Sequence, residues 1–394
     1  MIGRKSPLRI LHVVESLDRG GLERMVIDLA NEQARAGHAV SIATLYRPGE
    51  LASELDGSRV RLIDCAKDRH GAWGAWRHLR RMVAGGFDVL HGHNPMAHYY
   101  AVFASLGRSR MTRIVTRHGM GSATLGGGRG RWLFRRSLAF TDCSVAVCEA
   151  ASDVFQRADG RLGSTWESIP NGIDLAKVVP VSNDARKDLL ASLGVVSSDC
   201  IVGCVGRLTE VKQHQVLLQA FARLLVRVPS AQLVVVGDGP LRASLEEAVR
   251  SAGIAASVHF TGARQDVNHL LAGFDIFALT SRSEGYSLAL VEAAAAGLPI
   301  VASDVGGNGE IVNNGSSGLL FEAGDEKACA RHLEVLALCS EQRHELGAKG
   351  RAWALAHAST KAMADAYEGI YRTGDGRCVG MANGVATTVS GGGQ

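Results

Sequence analysis

Long apolar runs are missing from this 394-residue chain. No stretch of about eighteen apolar residues occurs, so no segment reads as a membrane-spanning helix. Aromatic residues make up only 5% and do not interleave with basic runs. The net charge is just +4, from 43 basic and 39 acidic side chains. Nucleic-acid binding needs a concentrated basic footprint, so that class is set aside. The eight cysteines are scattered. Cys143 and Cys148 have four residues between them and Cys200 and Cys204 three, and neither pair is a CxxC with a matching second pair. Zinc is therefore not expected, and reduced core cysteines of a cytoplasmic protein are. The opening MIGRKSPLRILHVVESLDRGG is basic and then apolar, as a signal peptide is. Arg9 and His12 interrupt the apolar stretch, however, and Glu15 and Asp18 follow it, so it reads as a buried first strand.

Glycine is abundant at 47 residues, many at the ends of apolar runs. Tight turns beside ligands in α/β proteins call for such residues. Strand and helix alternate through the first half: LRILHVVES, a helix from Gly20 to Ala36, HAVSIATLY, VRLIDC, the helix AWRHLRRMVAGG, FDVLHGHN, MAHYYAVFASL, RIVTRHG and TDCSVAVCEA. The second half restarts the pattern with CIVGCVGRL, HQVLLQAFARLLVRVP, QLVVVGDGP, LRASLEEAVRSAG, SVHFTG, DVNHLLAGFD, IFALTS, SLALVEAAAAG, PIVASDVGG and GLLFEAG. Such alternation means parallel sheets with crossover helices. The expectation is an α/β chain of two facing, doubly wound, Rossmann-like domains with a cleft between the carboxyl ends of their sheets, where ligands bind. The turn-rich stretch from about Asn171 to Leu193 is taken as the junction. The expected units are residues 1–175, 176–357, a helix over 358–373 that packs back on the first domain, and a disordered tail over 374–394.

The segment SRSEGYSLALVEAAAAGLPIVASDVGG concentrates the chemistry. Glu284 precedes a helix start, which leaves the backbone N–H groups of Gly285, Tyr286, Ser287 and Leu288 free to meet an anion such as a diphosphate. Glu292 stands two turns on among alanines, too apolar a setting for a wet helix face, and a carboxylate there can accept hydrogen bonds from both ribose hydroxyls. Arg207 and Lys212 follow the strand CIVGCV, where cations would neutralise a diphosphate and its growing charge. A salt bridge to Glu210 is the plainer alternative for them. Gly20 and Gly21 open the first helix and allow a phosphate or sugar close to their amides. His118 ends the strand of TRHG, placed to donate a hydrogen bond to a sugar hydroxyl. His91 and His93 look like a metal pair, but no third ligand is evident; with Asn94 they read as cleft lining on the acceptor side.

These residues carry a resemblance to a known family. The run EGYSLALVEAAAAGLPIVASDVGG, with seven residues between its two glutamates, resembles the signature of the retaining family-4 glycosyltransferases of GT-B fold. SLDRGGLERMVIDLA, TRHG, IPNGID, VGRLTEVK, VVVGDGPL, the FTG…DV…LL run and NGSSGLL agree in order and spacing, so the likeness covers roughly residues 8 to 372. It implies a nucleotide-sugar donor, UDP- or GDP-linked, and transfer of a hexose or N-acetylhexosamine to a growing glycan, lipid-linked in some members. It implies Glu284 and His118 beside the donor sugar, Arg207, Lys212 and the Gly20/Gly21 loop on the diphosphate, and Glu292 on the ribose. It also implies retention by a front-face transfer in which the leaving phosphate helps deprotonate the acceptor. Family members usually have Lys-Gly where this chain has Lys212-Gln213. No D-x-D occurs anywhere, so neither a metal nor a cofactor beyond the nucleotide sugar is expected.

Two basic, apolar segments, WGAWRHLRRMV and GRGRWLFRRSLAF, suit an anionic membrane surface, which would make the protein peripheral on the cytoplasmic face of the inner membrane. A solvated helix with a buried apolar face explains them equally well. Three rivals remain for function. A non-hydrolysing sugar-nucleotide epimerase would need acid/base carboxylates over the sugar ring. A non-catalytic nucleotide-sugar-binding subunit would not hydrolyse donor. A nicotinamide oxidoreductase would need G-x-G-x-x-G, and Gly237-Asp238-Gly239-Pro240-Leu241 runs into Arg242 instead.

Overall fold

A computed structural model describes residues 6–18, 20–108, 111–120, 128–159, 165–195 and 197–374. Segments of four to nine residues, nearly all rich in apolar side chains, form its strands: β1 (Arg9–Ser16), β2 (Ala39–Arg47), β3 (Val60–Asp64), β4 (Val89–His93), β5 (Thr112–Arg117), β6 (Cys143–Ala146), β7 (Thr165–Ser168), β8 (Ile201–Val205), β9 (Gln232–Val236), β10 (Val258–Gly262), β11 (Ile276–Leu279), β12 (Ile300–Ser303) and β13 (Gly318–Phe321). They make two sheets, ordered β3-β2-β1-β4-β5-β6-β7 and β10-β9-β8-β11-β12-β13, with parallel pairing throughout. Strand order reverses between β1 and β4 and again between β8 and β11, the switch points at which doubly wound sheets hold ligands.

Helices cover both faces of each sheet, and each face has its own core. Ile10, Val14, Val89 and Ile114 meet the Gly21–Arg35 helix on one face of the first sheet, while Leu11, Val13, Leu90 and Ala101 pack on the other. The Thr360–Thr373 helix leaves the second domain and packs Met363, Tyr367, Ile370 and Tyr371 on the first sheet, beside Ile10 and Val14. The chain therefore crosses between domains twice, and the crossings touch. Ile173 N–H donates to Ala358 O at 2.8 Å and Thr360 N–H to Ile173 O at 3.0 Å. A Cβ on Gly172 would stand 2.4 Å from the Ser359 carbonyl oxygen, so only glycine lets the strands approach this closely.

Some elements differ from expectation. The turn-rich junction holds a helix, Asn183–Ser192, begun by Ser182, whose Oγ accepts from Ala185 N–H, and anchored by buried Leu189 and Leu190. Its serine cap and the following Gly194 at φ 69° are ordinary helix punctuation that the lack of a sheet pattern obscured. Strand β7, the half-buried edge TWES, and the helices Glu326–Leu338 and Ser340–His357 complete the two domains. The tail expected over 374–394 lies, beyond Gly374, outside the described residues.

Candidate active site

The second domain's share of the site is built on the turns after β8 and β11. After β8, residues 206–209 run closely beside the 237–239 turn: a Cβ at Gly237, whose φ is 137°, would sit 2.0 Å from the Gly206 carbonyl oxygen. Lys212 ends a single 3-10 turn, Glu210–Lys212, and Gln213 follows at φ 46°, ψ 43°. The left-handed backbone explains why glycine commonly suits that position. Thr280 Oγ1 fastens the turn with hydrogen bonds to the carbonyls of Lys212 and Gln213, both 3.1 Å. Lys212 Nζ consequently meets Glu284 Oε1 at 2.5 Å, and Ser281 Oγ donates to that same oxygen at 2.5 Å. Neither Lys212 nor Arg207 pairs with Glu210; Arg207 is exposed, and among the described residues no carboxylate pairs with it.

After Glu284 the chain turns into the Leu288–Ala296 helix, with Ser287 at the N-cap and no side-chain cap. Among the described residues no hydrogen bond takes the amides of Gly285, Tyr286, Ser287 or Leu288, so the positive end of the helix dipole is offered to an anion. Gly306, at φ 54°, lies against this turn: a Cβ there would be 1.8 Å from the Glu284 carbonyl oxygen. Glu292 is half-buried and faces Arg24 and Asp28 of the first domain's opening helix. Burial raises its carboxyl to about 7, Arg24 pulling it down and Asp28 pushing it up.

The first domain approaches the same turns. A Cβ on Gly21 would lie 3.6 Å from Leu288 Cδ1, so the glycine loop and the helix start nearly touch. Gly20 is extended, at φ −172°, at the helix N-cap. A Cβ on Gly285 would fall 2.3 Å from the His118 carbonyl oxygen. Gly20, Gly21, His118, Glu284, Gly285 and Leu288 thus meet across the domain boundary.

His118 is held from behind. Its backbone N–H donates to Asn94 Oδ1 at 3.2 Å, and Asn94 itself adopts φ 67°, a conformation asparagine tolerates. Its Nε2 lies 3.2 Å from His93 Nδ1. Here the acceptor-side reading is corrected. His91 has no exposed surface and His93 only 1%, because the Thr360–Thr373 helix covers their face of β4. His91 bonds Tyr371 OH at 2.8 Å and Thr116 Oγ1 at 2.7 Å, so it is core rather than cleft lining. Asn94 positions His118. The third imidazole that the sequence did not reveal is His12, which is paired with His91 in the β1–β4 register. One nitrogen from each of His12, His91 and His93 lies within 4.8 Å of the others. Hydrogen bonds to neighbouring side chains already occupy both ring nitrogens of all three.

Glu310 escaped the sequence reading. From the second domain it accepts hydrogen bonds from the N–H groups of Glu149 at 2.9 Å and Ala150 at 3.3 Å, capping the first domain's Glu149–Asp159 helix. Only its place just after the GG of SDVGG hinted at such a contact. The two basic segments divide by residue. Phe134 is buried in the core, while Trp132 is 56% and Trp73 70% exposed among exposed arginines. Among the described residues no helix is long and apolar enough to cross a membrane.

Known proteins agree with this architecture. Residues 186–353 match the family described as "Glycosyl transferases group 1", and residues 19–177 match "Glycosyltransferase Family 4". EpsF of Bacillus subtilis, a protein named as a glycosyltransferase, is 29% identical over 76% of this chain and 80% of its own. A GDP-mannose-dependent monoacylated alpha-(1-6)-phosphatidylinositol monomannoside mannosyltransferase of Corynebacterium glutamicum is 27% identical over 71% of this chain and 74% of its own. The solved structure of Anabaena HepE in complex with UDP-glucose superposes with a TM-score of 0.81 at 22% identity, over 91% of this chain and 97% of HepE. With both halves matched in order around one cleft, the chain belongs to the group 1 glycosyltransferases and has the GT-B fold.

Proposed function

We propose that this glycosyltransferase transfers a hexose or N-acetylhexosamine, with retention and without a divalent metal, from a UDP- or GDP-sugar to a glycan acceptor in polysaccharide or glycolipid synthesis. One observation carries the reading: Lys212 and the free amides of residues 285–288 converge beside the glycine loop of the opposite domain, and Arg207 stands exposed on the same turn as Lys212. A sugar-nucleotide diphosphate carries two negative charges, and the departing nucleotide gains another as the glycosidic bond breaks. Preorganised cations and amides meet that charge without reorganising. Glu292, across from the first domain's opening helix, would accept the ribose hydroxyls. Glu284, its carboxylate aligned by Lys212 and Ser281, and His118 would hold the donor sugar. The leaving phosphate then takes the acceptor's proton on the face it departs from.

A structural neighbour solved in complex with UDP-glucose and a relative named as GDP-mannose-dependent support a nucleotide-sugar donor, and that relative's name as a phosphatidylinositol monomannoside mannosyltransferase supports a lipid-linked glycan. Exposed Trp73 and Trp132 among arginines suit an anionic bilayer surface on the cytoplasmic side. Screening UDP- and GDP-sugars by thermal shift and donor hydrolysis tests the reading, because a ligand that binds only the folded state raises its stability. Stabilisation by one donor, followed by its slow hydrolysis, is expected. Binding without hydrolysis or transfer would leave a non-catalytic binding protein and overturn it.

A further inference from the structure

Two buried imidazoles, His12 and His93, form one continuous line behind His118, and the line has a direction. Gln33, 2% exposed on the first domain's opening helix, donates its Nε2–H to Tyr371 OH at 3.2 Å, so its Oε1 is left to accept. His12 Nε2 lies 2.8 Å from that Oε1 and must carry the proton between them. A neutral imidazole has one N–H, so His12 Nδ1 is an acceptor. His93 Nε2, 3.0 Å away, therefore carries the next proton. His93 Nδ1 is then an acceptor, and His118 Nε2, 3.2 Å away, donates to it. This leaves His118 Nδ1 without a proton, and that atom is buried with no partner in the chain.

The geometry points to Gln33, His12 and His93 as positioning residues that fix the tautomer of His118, so that its Nδ1, buried at the domain boundary, is held as a hydrogen-bond acceptor. The same logic orders the second branch. Tyr371 OH, receiving from Gln33, donates to His91 Nδ1; His91 Nε2–H donates to Thr116 Oγ1, and Thr116 donates to Tyr367 OH at 2.9 Å. A rotation of the Gln33 amide by half a turn would reverse both branches together and make His118 Nδ1 a donor. Through Tyr371 and the Gln33 amide, the C-terminal helix is thus coupled to the order of protons that ends at His118.

Burial keeps the line neutral. It lowers His12 to about 4 and His118 to about 3, and holds His91 and His93 well below the ordinary value. His118 accordingly offers a lone pair rather than a positive charge. A donor-sugar hydroxyl that binds there gives its proton into a hydrogen bond with Nδ1, instead of receiving one as the sequence alone suggested. That last step rests on the transfer reaction proposed above; the order of protons does not.

The test is ring-nitrogen NMR of the full, ligand-free protein labelled with [15N]histidine at pH 7, with signals assigned by single His→Gln variants. The expected wild-type result is protonated Nε2 and bare Nδ1 at His12, His93 and His118. Gln33→Glu should keep that order, since a carboxylate still accepts from His12. Gln33→Leu should give mixed tautomers at all three residues together. If Gln33→Leu does not fold, Tyr371→Phe, which frees the amide to turn, should give the same mixing. A protonated Nδ1 at wild-type His118 overturns the proposal, as does a change confined to His12 in the Gln33 or Tyr371 variants. Neither outcome depends on which sugar is transferred, or on whether any is.

Discussion

Lys212 and Glu284, 72 residues apart in sequence, form an ion pair at 2.5 Å in which the lysine is only partly shielded. The pair ties the turn after β8 to the turn after β11, and so joins the two strands that flank the second domain's switch point. On the proposed function, a donor diphosphate arriving there would compete with Glu284 for the ammonium.

That competition predicts the effect of losing either cation. Arg207→Ala and Lys212→Ala should each lower turnover by about 10²–10³, the scale of one lost charge-stabilising donor. Lys212→Ala should also strand Glu284 as a largely buried carboxylate bonded only to Ser281. Turnover in excess chelator should match turnover without it. Strict dependence on magnesium or manganese, with both variants nearly unaffected, would refute the charge-neutralisation model.

Glu292 predicts a pH dependence with a definite sign. Its folded-state value, about 7, lies above the ordinary 4.5, so between these pH values the nucleotide-free fold holds a proton that the unfolded chain has released. The stability contributed at this residue therefore falls as pH rises from about 4.5 to 7 and is flat above. Nucleotide binding runs the other way, because ribose hydroxyls need the carboxylate: affinity should rise with pH and level off above about 7. Glu292→Gln should flatten both curves and weaken UDP or GDP binding by about 1.5–3 kcal/mol, the value of a hydrogen bond to a charged group. Calorimetric titration across pH 5–9 reads this directly, and undiminished nucleotide affinity in the variant would remove the ribose role.

The left-handed residue at 213 makes a stability prediction. An L-residue in that region costs roughly 1–2 kcal/mol relative to the right-handed one, so Gln213→Gly should raise the denaturant midpoint by the equivalent of about 1 kcal/mol. No gain would mean that the Gln213 side chain repays the strain.

Gly172 should tolerate no side chain. Gly172→Ala places a Cβ 2.4 Å from the Ser359 carbonyl and must part the two crossing strands, at a cost of about 1–3 kcal/mol, as for other overpacked sites. Differential scanning calorimetry should show a lowered transition. An unchanged transition would mean that the crossing is loose.

Both sheets were legible from sequence because nearly every strand is an apolar run bounded by glycine or by polar residues. The exceptions follow from where elements sit. TWES, the half-buried β7 at the edge of its sheet, lacks a continuous apolar signal. The Asn183–Ser192 helix buries only two of its side chains. Site residues on single loops, such as Glu284 and the amides after it, could be placed by local grammar. The histidines could not. Period-two alternation puts His91 and His93 on one face of β4, but what covers that face is decided by Tyr371, 280 residues from His91. His12 read as an interruption of an apolar strand, when it was the partner of the other two.

The helix that carries Tyr367 and Tyr371 also sets a timetable. Thr116 meets Tyr367 across 251 residues. At about 5–20 residues per second of synthesis, the first sheet waits roughly ten to fifty seconds for its covering helix. The later-made domain can close its own cores first, while the face of the first sheet that carries Ile10, His12 and Val14 waits for its last covering helix. A nascent chain of this kind invites chaperones to its beginning rather than to its end, and a stop codon a few turns early would spare the second domain and ruin the first.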